Sequence, residues 1–160
     1  VPLEACLATF SSSRPFIDYY STALKTKTRV IKTTSLTSFP DYLVLHMQRF
    51  VTEAGEGSPE KLDVYIDVTD VIDISHMRSK GLQPGEQLLL QEEVGQTPAQ
   101  NGLPDGGGRY KLFGIVSHIG TSTHLGHYVA HVLKEGRWVI FDDSKVCISV
   151  DPPKDMGYLY

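Results

Sequence analysis

Cysteine is scarce in this chain, since its 160 residues include only Cys6 and Cys147. Two thiols cannot form the disulfide framework of a small secreted domain, and they cannot supply a zinc site with four thiolate ligands. We therefore expect a reducing compartment, the cytoplasm or the nucleus. We expect no metal and no other cofactor.

The chain also lacks a basic excess and a long apolar run. Lys and Arg number 15 against 19 Asp and Glu, which gives a formal net charge of −4. No basic cluster is available for nucleic acid or for an anionic membrane surface. No apolar stretch approaches the roughly 20 residues that span a bilayer. Neither nucleic acid nor membrane is expected as a partner.

Sequence patterns predict mostly β-structure. Residues 3–10 have helical apolar spacing, and residues 16–24 fit either a short helix or an extended arm. Strands are predicted at residues 28–37, 42–50, 62–68, 110–118, 128–133, 138–141 and 145–150. Many strands and few helices predict an α+β fold dominated by an antiparallel sheet with few peripheral helices.

Residues 82–108 differ in composition from the rest of the chain. They are rich in Gly, Pro, Gln and Glu and end in three consecutive glycines. A structureless insert of that length is uncommon inside a domain, so we interpret it as a flexible linker or insertion point. It separates two predicted parts, residues 1–81 and residues 109–160. Because the chain starts at Val1 and ends in an aromatic run, we expect a piece of a longer protein.

A predicted hairpin brings a histidine and an aspartate together. Its strands cover residues 128–133 and 138–141, with a turn at residues 134–137. A two-residue loop makes the numbers of opposed residues sum to about 269 or 271. His127 and Asp142 therefore face each other directly or lie one step out of register. An imidazole held by a carboxylate is the orienting half of a nucleophilic triad.

The neighbours of this pair favour a functional role. Gly126 permits close approach of another chain to the backbone, and Tyr128 offers an aromatic surface with a polar tip. Asp143 is expected on the opposite strand face from Asp142, so only Asp142 can pair with His127. Asp143 is left either as an accessory residue or as a solvated turn residue.

A zinc site is a competing interpretation, because several histidines lie close together in this segment. The candidate ligands are His118, His124, His127 and His131 with Asp142. His127 and His131 are two steps apart on one strand face, which is too far for easy joint ligation. The spacing also matches no metal motif.

A nucleophile is missing from the chain. Cys6 lies on the apolar face of the predicted helix, and Cys147 is expected in a packed strand. Neither has the exposed turn or helix start that activates a thiolate. Ser117, Ser122 and Thr123 lie near His127, but no G-x-S-x-G elbow contains them. A cysteine supplied by upstream sequence is the simpler account.

These motifs resemble the C-terminal half of the catalytic domain of the ubiquitin-specific proteases, which are papain-like cysteine peptidases. The isopeptidase T branch, which trims unanchored polyubiquitin, is the most similar. The motif Gly126-His127-Tyr128 is the most specific one, and nearly the whole chain takes part. The other matching segments are residues 1–7, 21–24, 39–44, 48–50, 61–64, 73–75, 81–86, 117–123, 134–140 and 152–155.

The resemblance implies a fold, a reaction and roles for particular residues. The fold would be the palm half of a papain-like peptidase. His127 would be the general base, and Asp142 would orient it. His118, Gly126 and Tyr128 would line the channel for the ubiquitin C-terminal tail. The substrate would be ubiquitin or polyubiquitin, and the partner would be the N-terminal half of the catalytic domain, which carries the nucleophilic cysteine.

The sequence departs from the family pattern in three places. The cysteine box is absent, so this chain alone cannot complete the triad. Residues 21–24 are Ser-Thr-Ala-Leu, where other members have zinc-binding cysteines, so no finger zinc is expected. Residues 82–108 are too short for the two ubiquitin-associated domains of the isopeptidase T branch.

Two other functions stay open at the level of sequence. The chain would be a non-catalytic ubiquitin-binding module or pseudoenzyme if no cysteine box lies upstream. It would be a metal hydrolase if the histidine cluster held stoichiometric zinc, with activity lost to a chelator.

Overall fold

The computed structural model describes residues 1–51, 60–85, 105–121 and 125–149. The chain divides into two units, each built from segments that are distant in sequence. Unit 1 comprises Val1–Leu7, Val44–Ile72 and Lys111–Tyr160, and unit 2 comprises Ala8–Leu43 and Asp73–Tyr110. The predicted linker at residues 82–108 falls mostly outside the described residues and stays a prediction.

Ten strands, one α-helix and one short 3-10 helix form the described part of the chain. They are α1 (Leu3–Ser11), β1 (Arg14–Ser21), β2 (Thr26–Lys32), β3 (Phe50–Val51), β4 (Glu60–Lys61), β5 (Val71–Asp73), the 3-10 helix Ser75–Met77, β6 (Arg109–Lys111), β7 (Gly114–Ile119), β8 (His127–Lys134), β9 (Arg137–Asp142) and β10 (Lys145–Ile148). The predicted α+β class with a dominant antiparallel sheet is confirmed. No helix within the described ranges is long and apolar enough to cross a membrane.

The largest sheet lies in unit 1 and has the strand order β10-β9-β8-β7, with every neighbouring pair antiparallel. Alternation along β7 and β8 places their odd-numbered residues on one face. This face is buried, since Ile115, Ser117, Val129 and His131 are each 5% exposed or less. His127 begins the same row on β8, so the buried row fixes the face from which its ring projects.

Two tight turns connect the last three strands. Glu135 and Gly136 have φ values of 49° and 78°, and positive φ at both central residues is the type I′ geometry that suits a two-residue hairpin. Lys134 pairs with Arg137 across this turn, so opposed numbers sum to 271, one of the two predicted registers. The next turn contains Asp143, with a φ of 50°.

A short ribbon of β3 and β4 pairs Phe50 with Lys61. The side chain of Arg49 is buried beside it, with 6% exposure. Its Nη1 donates hydrogen bonds to the carbonyls of Leu62 at 3.3 Å and Val64 at 2.6 Å. A buried cation needs such acceptors, so these bonds hold the residues after β4 in place.

Unit 2 contains the β1–β2 hairpin, whose large apolar side chains are exposed. Phe16, Ile17 and Tyr20 are 57%, 66% and 57% exposed. The pairing is irregular between Phe16 and Tyr19, where Asp18 has a φ of 67°. The prediction of a helix or an arm at residues 16–24 resolves in favour of extended structure.

The core of unit 2 is closed by a group that we name the Phe39 clasp, made of Phe39, Arg78, Asp105 and Gly106. The Arg78 guanidinium lies 4.3 Å from the centroid of the Phe39 ring and forms an ion pair with Asp105 at 2.6 Å. Asp105 Oδ1 accepts the Phe39 N–H at 2.8 Å, and Gly106 N–H donates to the Phe39 carbonyl at 2.9 Å. Phe39 itself is fully buried.

The glycines at the end of the predicted linker differ in how closely they are packed. Gly108 has a φ of 84°, and a Cβ there would lie 2.8 Å from the Cα of Ser75. Gly107, by contrast, has nothing within 4 Å of a Cβ position. The glycine requirement is therefore strict at position 108 and absent at position 107.

Two strand predictions are wrong. Residues 42–49 have no regular structure, and Tyr42 and Val44 are 75% and 88% exposed. Residues 62–66 are also irregular, and Asp67 makes only an isolated bridge to Pro2. An apolar or alternating sequence permits a strand, but a ladder forms only where a second segment offers its backbone.

Candidate active site

His127 and Asp142 lie on neighbouring strands, at the start of β8 and the end of β9. Continuing the observed register places Asp142 opposite Val129, so His127 is its diagonal neighbour on the same face. The two side chains form a hydrogen bond across this diagonal, with His127 Nε2 2.5 Å from Asp142 Oδ1. The predicted arrangement one step out of register is the one observed.

The pair is electrostatically coupled. The hydrogen bond to Asp142 raises the pKa of His127 above its ordinary value, partial desolvation opposes this rise, and the charges of Asp142 and Asp143 add to it. Both side chains are partly open to solvent, at 44% and 41% exposure. With Nε2 bonded to the carboxylate, Nδ1 is the ring nitrogen that is left to accept a proton.

Asp143 lies near the same ring, which corrects the prediction that it points away. The donor atoms of His127, Asp142 and Asp143 all lie within 4.8 Å of one another. Strand alternation does not apply to Asp143, because β9 ends at Asp142 and Asp143 adopts a left-handed turn conformation. It is exposed, so both the accessory role and the solvated-turn role are compatible with its position.

His118 is enclosed beside this pair rather than exposed. It is 5% exposed, and burial and the charge of Lys61 lower its pKa. The centroid of the His118 ring lies 6.1 Å from that of Phe50 in an edge-on arrangement and 4.8 Å from that of Tyr128. Lys61 Nζ lies 3.0 Å from its Nδ1. The His118 ring therefore packs against Gly126 and Tyr128, the two residues that flank His127.

Gly126 is required by His118. A Cβ at position 126 would lie 2.0 Å from His118 Nε2 and 2.8 Å from the Ile119 carbonyl oxygen. Gly120, with a φ of 136°, also approaches Gly126, since its Cβ would lie 3.1 Å from the Gly126 Cα. The two glycines let the segments on either side of the β7–β8 connection come together directly before His127.

The sequence model of the ubiquitin carboxyl-terminal hydrolase family matches residues 6–160, which is nearly the whole chain. The chain belongs to this family. The resemblance that the histidine motif suggested is thereby confirmed at the level of the family, and the fold is that of the C-terminal half of its catalytic domain.

Curated ubiquitin carboxyl-terminal hydrolases are similar over the full length of this chain. Ubiquitin carboxyl-terminal hydrolase 14 of Arabidopsis thaliana is 44% identical over all of the chain and 35% of its own length. Ubiquitin carboxyl-terminal hydrolase 5 of Homo sapiens is 25% identical over all of the chain and 38% of its own length. The chain thus spans about a third of the relatives it matches. The Arabidopsis alignment covers 282 positions against 160 residues here, so that relative has residues with no counterpart in this chain.

Solved structures of SAGA DUB modules confirm the fold. A chain of the yeast SAGA DUB module is 26% identical, with a TM-score of 0.71 over 99% of this chain and 31% of its own. The SAGA Ubp8/Sgf11/Sus1/Sgf73 DUB module bound to ubiquitin aldehyde gives 27% identity and a TM-score of 0.68, with the same coverage. At these values the likeness extends over nearly every residue of this chain.

The structure places the predicted site residues in three settings. His127, Asp142 and Asp143 come together at one point, as described above. Gly126 and Tyr128 are exposed on either side of His127, and Tyr128 is 49% exposed. His118 is buried, with 5% exposure, and its predicted place in the channel for the ubiquitin tail stays a prediction.

Neither cysteine of the chain is placed beside His127. Cys147 pairs with Ile140, which in turn pairs with His131. His131 lies four residue steps along β8 from His127, about 13 Å at the rise of an extended strand. Cys147 is exposed rather than packed as predicted, because β10 is the edge strand. Cys6 is only partly buried on α1.

The donor set for a metal differs from the predicted one. The histidine His131 is 2% exposed within the buried row, and its Nδ1 has no hydrogen-bond partner among the described residues. His124 lies outside the described residues. Among the described residues, the cluster that could hold an ion consists of His127, Asp142 and Asp143, and it includes the hydrogen-bonded pair His127 and Asp142.

Lys61 and Phe50 both contact His118, and the sequence predicted a role for neither of them. The two residues face each other across the β3–β4 ribbon, which carries them to His118 from one side. Residues 52–59 separate the two strands and the ribbon is two residues long, so local periodicity gave no indication of this contact.

Proposed function

We propose that this chain supplies the general base His127 and its orienting aspartate, Asp142, to a thiol-dependent deubiquitinase. The 2.5 Å contact between His127 Nε2 and Asp142 Oδ1 carries the proposal. Family membership supports it, as do structural neighbours described as DUB modules bound to ubiquitin aldehyde or to monoubiquitin. The substrate is the C-terminal peptide or isopeptide bond of ubiquitin or polyubiquitin.

In this mechanism Nδ1 of His127 takes the proton from the thiol of a cysteine. The thiolate attacks the carbonyl carbon of the scissile bond, and the imidazolium then protonates the departing lysine amine. His127 next removes a proton from water, which hydrolyses the thioester and regenerates the thiol. Asp142 holds the ring in position and stabilises the imidazolium form, in agreement with the raised pKa of His127.

The nucleophile belongs to the part of the protein outside this chain. Cys147 is too far along the sheet from His127, and Cys6 lies on a helix without the strand-end setting of the pair. We therefore propose that the chain alone is inactive and that the N-terminal half of the catalytic domain provides the thiolate. Both cysteines are free thiols, which fits a cytoplasmic or nuclear protein.

The tail of ubiquitin would pass over Gly126 and Tyr128. The Cβ direction of Gly126 is filled by His118, so a substrate reaches the backbone from the opposite, solvent side. The exposed ring of Tyr128 offers an apolar wall there. His118 supports this surface from below.

The deciding experiment uses a ubiquitin probe with a C-terminal electrophile. It is added to this chain alone, to the N-terminal half of the parent protein, and to the two together. We expect labelling of an upstream cysteine that needs both halves and is lost in His127→Ala. Labelling of Cys6 or Cys147 in this chain alone would refute the assignment of the nucleophile.

The same samples separate the other functions. Binding of ubiquitin without labelling in the associated halves would identify a ubiquitin-binding module or pseudoenzyme. The His127, Asp142 and Asp143 cluster is the observation that favours a metal hydrolase. Stoichiometric zinc in the purified protein, with activity lost to a chelator, would establish that function in place of the thiol mechanism.

A further inference from the structure

We propose that Lys61 is a positioning residue for His127, acting through His118 and the backbone at the end of β7. The proposal rests on the role of His127 proposed above. It concerns a residue that does not touch His127 and that belongs to a distant strand of unit 1.

The ammonium group of Lys61 makes three polar contacts with one short segment. Its Nζ donates to the carbonyl of Gly120 at 2.6 Å and to the carbonyl of His118 at 3.0 Å, and it lies 3.0 Å from His118 Nδ1. An ammonium has three N–H donors and no acceptor, so Lys61 is the donor in each of these contacts. We name this set of contacts the Lys61 bracket.

The Lys61 bracket holds the residues on both sides of Ile119, which is the backbone partner of His127. Ile119 pairs with His127 between β7 and β8, and the two carbonyls that Lys61 binds belong to the residues directly before and after Ile119. Fixing both neighbours of Ile119 fixes the end of β7. Because β8 begins at His127, the last rung of the ladder is the one that sets its backbone position.

The bracket also determines the tautomer of His118. A charged Lys61 makes Nδ1 an acceptor, so the proton of the neutral ring lies on Nε2. That nitrogen faces Gly126, where a Cβ would come within 2.0 Å. The ring of His118 thus occupies the space directly before His127, with Phe50 and Tyr128 on its sides.

The charge environment of Lys61 agrees with a held rather than a solvated ammonium. Burial lowers its pKa, the nearby Arg49 cation lowers it further, and Asp63 opposes both. A displacement of about 1 Å in a catalytic group can cost on the order of 10²-fold in rate, so a bracket of this kind affects kcat.

The test uses the full-length protein and a ubiquitin substrate with a C-terminal fluorogenic amide. For Lys61→Met we expect kcat to fall by roughly 10- to 100-fold, with KM changed by less than about threefold. Lys61→Arg, which restores a cation, should recover part of kcat. Lys111→Met, an exposed lysine of the same unit, is the matched control and should leave both constants unchanged.

Histidine NMR on the same variants supplies a readout that does not depend on activity. In the unaltered protein His118 should be locked with its proton on Nε2, and in Lys61→Met both tautomers should appear. If the unaltered protein shows no deubiquitinase activity, the proposed function fails, while the resonances of His118 and His127 still test the bracket.

Three results would overturn the inference. One is a folded Lys61→Met protein with unchanged kcat and unchanged histidine resonances. Another is an effect on KM alone. The third is the failure of Lys61→Met, Lys61→Gln and Lys61→Arg all to fold, because that would assign Lys61 to the stability of the unit rather than to the placement of His127.

Discussion

His127 and Asp142 illustrate at the residue scale how a carboxylate controls an imidazole. Asp142→Asn keeps the size of the side chain and removes the charge, so the pKa of His127 should fall toward its ordinary value of about 6.5. Asp143→Asn should lower it less, since Asp143 acts only through its charge. Titration of the His127 resonances measures both shifts.

The same shift has a consequence for stability. A histidine whose pKa is raised in the folded state stabilises the fold below its unfolded pKa. Relative to Asp142→Asn, the unaltered protein should therefore be more stable below about pH 6.5, and this advantage should vanish as pH rises through the folded pKa of His127. An advantage that grows with rising pH would contradict the assigned pairing.

Substitution of His127 should reduce the activity of the intact protein more than substitution of Asp142. His127→Ala removes general-base help that is worth about 10²–10⁴-fold in rate. Asp142→Asn should cost less, because the Asp143 carboxylate lies within reach of the ring. Steady-state kinetics with a fluorogenic ubiquitin substrate gives the comparison. Equal losses would show that Asp143 does not substitute.

Gly126 shows that a glycine in a motif can serve a neighbour. Gly126→Ala would bring a Cβ to 2.0 Å from His118 Nε2, and we expect a loss of about 1–3 kcal/mol in the free energy of unfolding, typical of overpacking. Gly114→Ala is the matched control on the same sheet, since its Cβ meets only an ordinary contact at 3.7 Å. Urea unfolding measures both, and equal stability of the two variants would refute the packing argument.

Residues were predictable from the sequence where their roles depend on local spacing. The pairing of His127 with Asp142 followed from hairpin register alone. The burial of His118 did not, because it depends on Phe50 and Lys61, which are brought to it by a ribbon more than fifty positions away along the chain. Asp143 was misplaced because strand alternation was extended into a turn.

At the scale of elements, the β8–β9 turn tests how far local geometry determines the sheet. Glu135 has a φ of 49°, where a non-glycine residue other than Asn or Asp is strained. Glu135→Asn should raise the free energy of unfolding by about 0.5–1 kcal/mol, and Gly136→Ala should lower it by about 1 kcal/mol. Denaturant midpoints measure these shifts, and two changes of the same sign would argue against a type I′ turn.

Elements were predictable where both partners of a ladder are adjacent in sequence. The strands β8, β9 and β10 follow one another through two-residue turns, and all three were predicted. Residues 42–49 and 62–66 have apolar or alternating sequences yet stay irregular. Their backbone would need partners from elsewhere in the chain, and a pattern within one segment does not reveal whether such partners exist.

The whole molecule combines two units of different construction. Unit 1 holds the four-stranded sheet with the His127–Asp142 pair, and unit 2 holds the Phe39 clasp, which fixes Asp105 and Gly106. Relatives have residues that this chain lacks, as the 282-position alignment requires. Because the Phe39 clasp holds Asp105 and Gly106, we expect the predicted linker before them to tolerate changes of length.

Lengthening the predicted linker should therefore reduce the free energy of unfolding less than adding a side-chain atom at Gly108. Because the composition of residues 82–108 predicts a flexible linker, doubling the length of the segment 86–104 with flexible residues placed after Gly95 should cost about 0.6 kcal/mol of unfolding free energy, the entropy of closing a longer loop. Gly108→Ala should cost about 1–3 kcal/mol, because its Cβ would meet Ser75 at 2.8 Å and its φ is 84°. Gly107→Ala, with open space around it, is the control and should be close to neutral. Chemical unfolding of the three variants decides the point: an insertion that destabilises more than Gly108→Ala would mean that the segment itself, rather than the clasp, maintains this part of the fold.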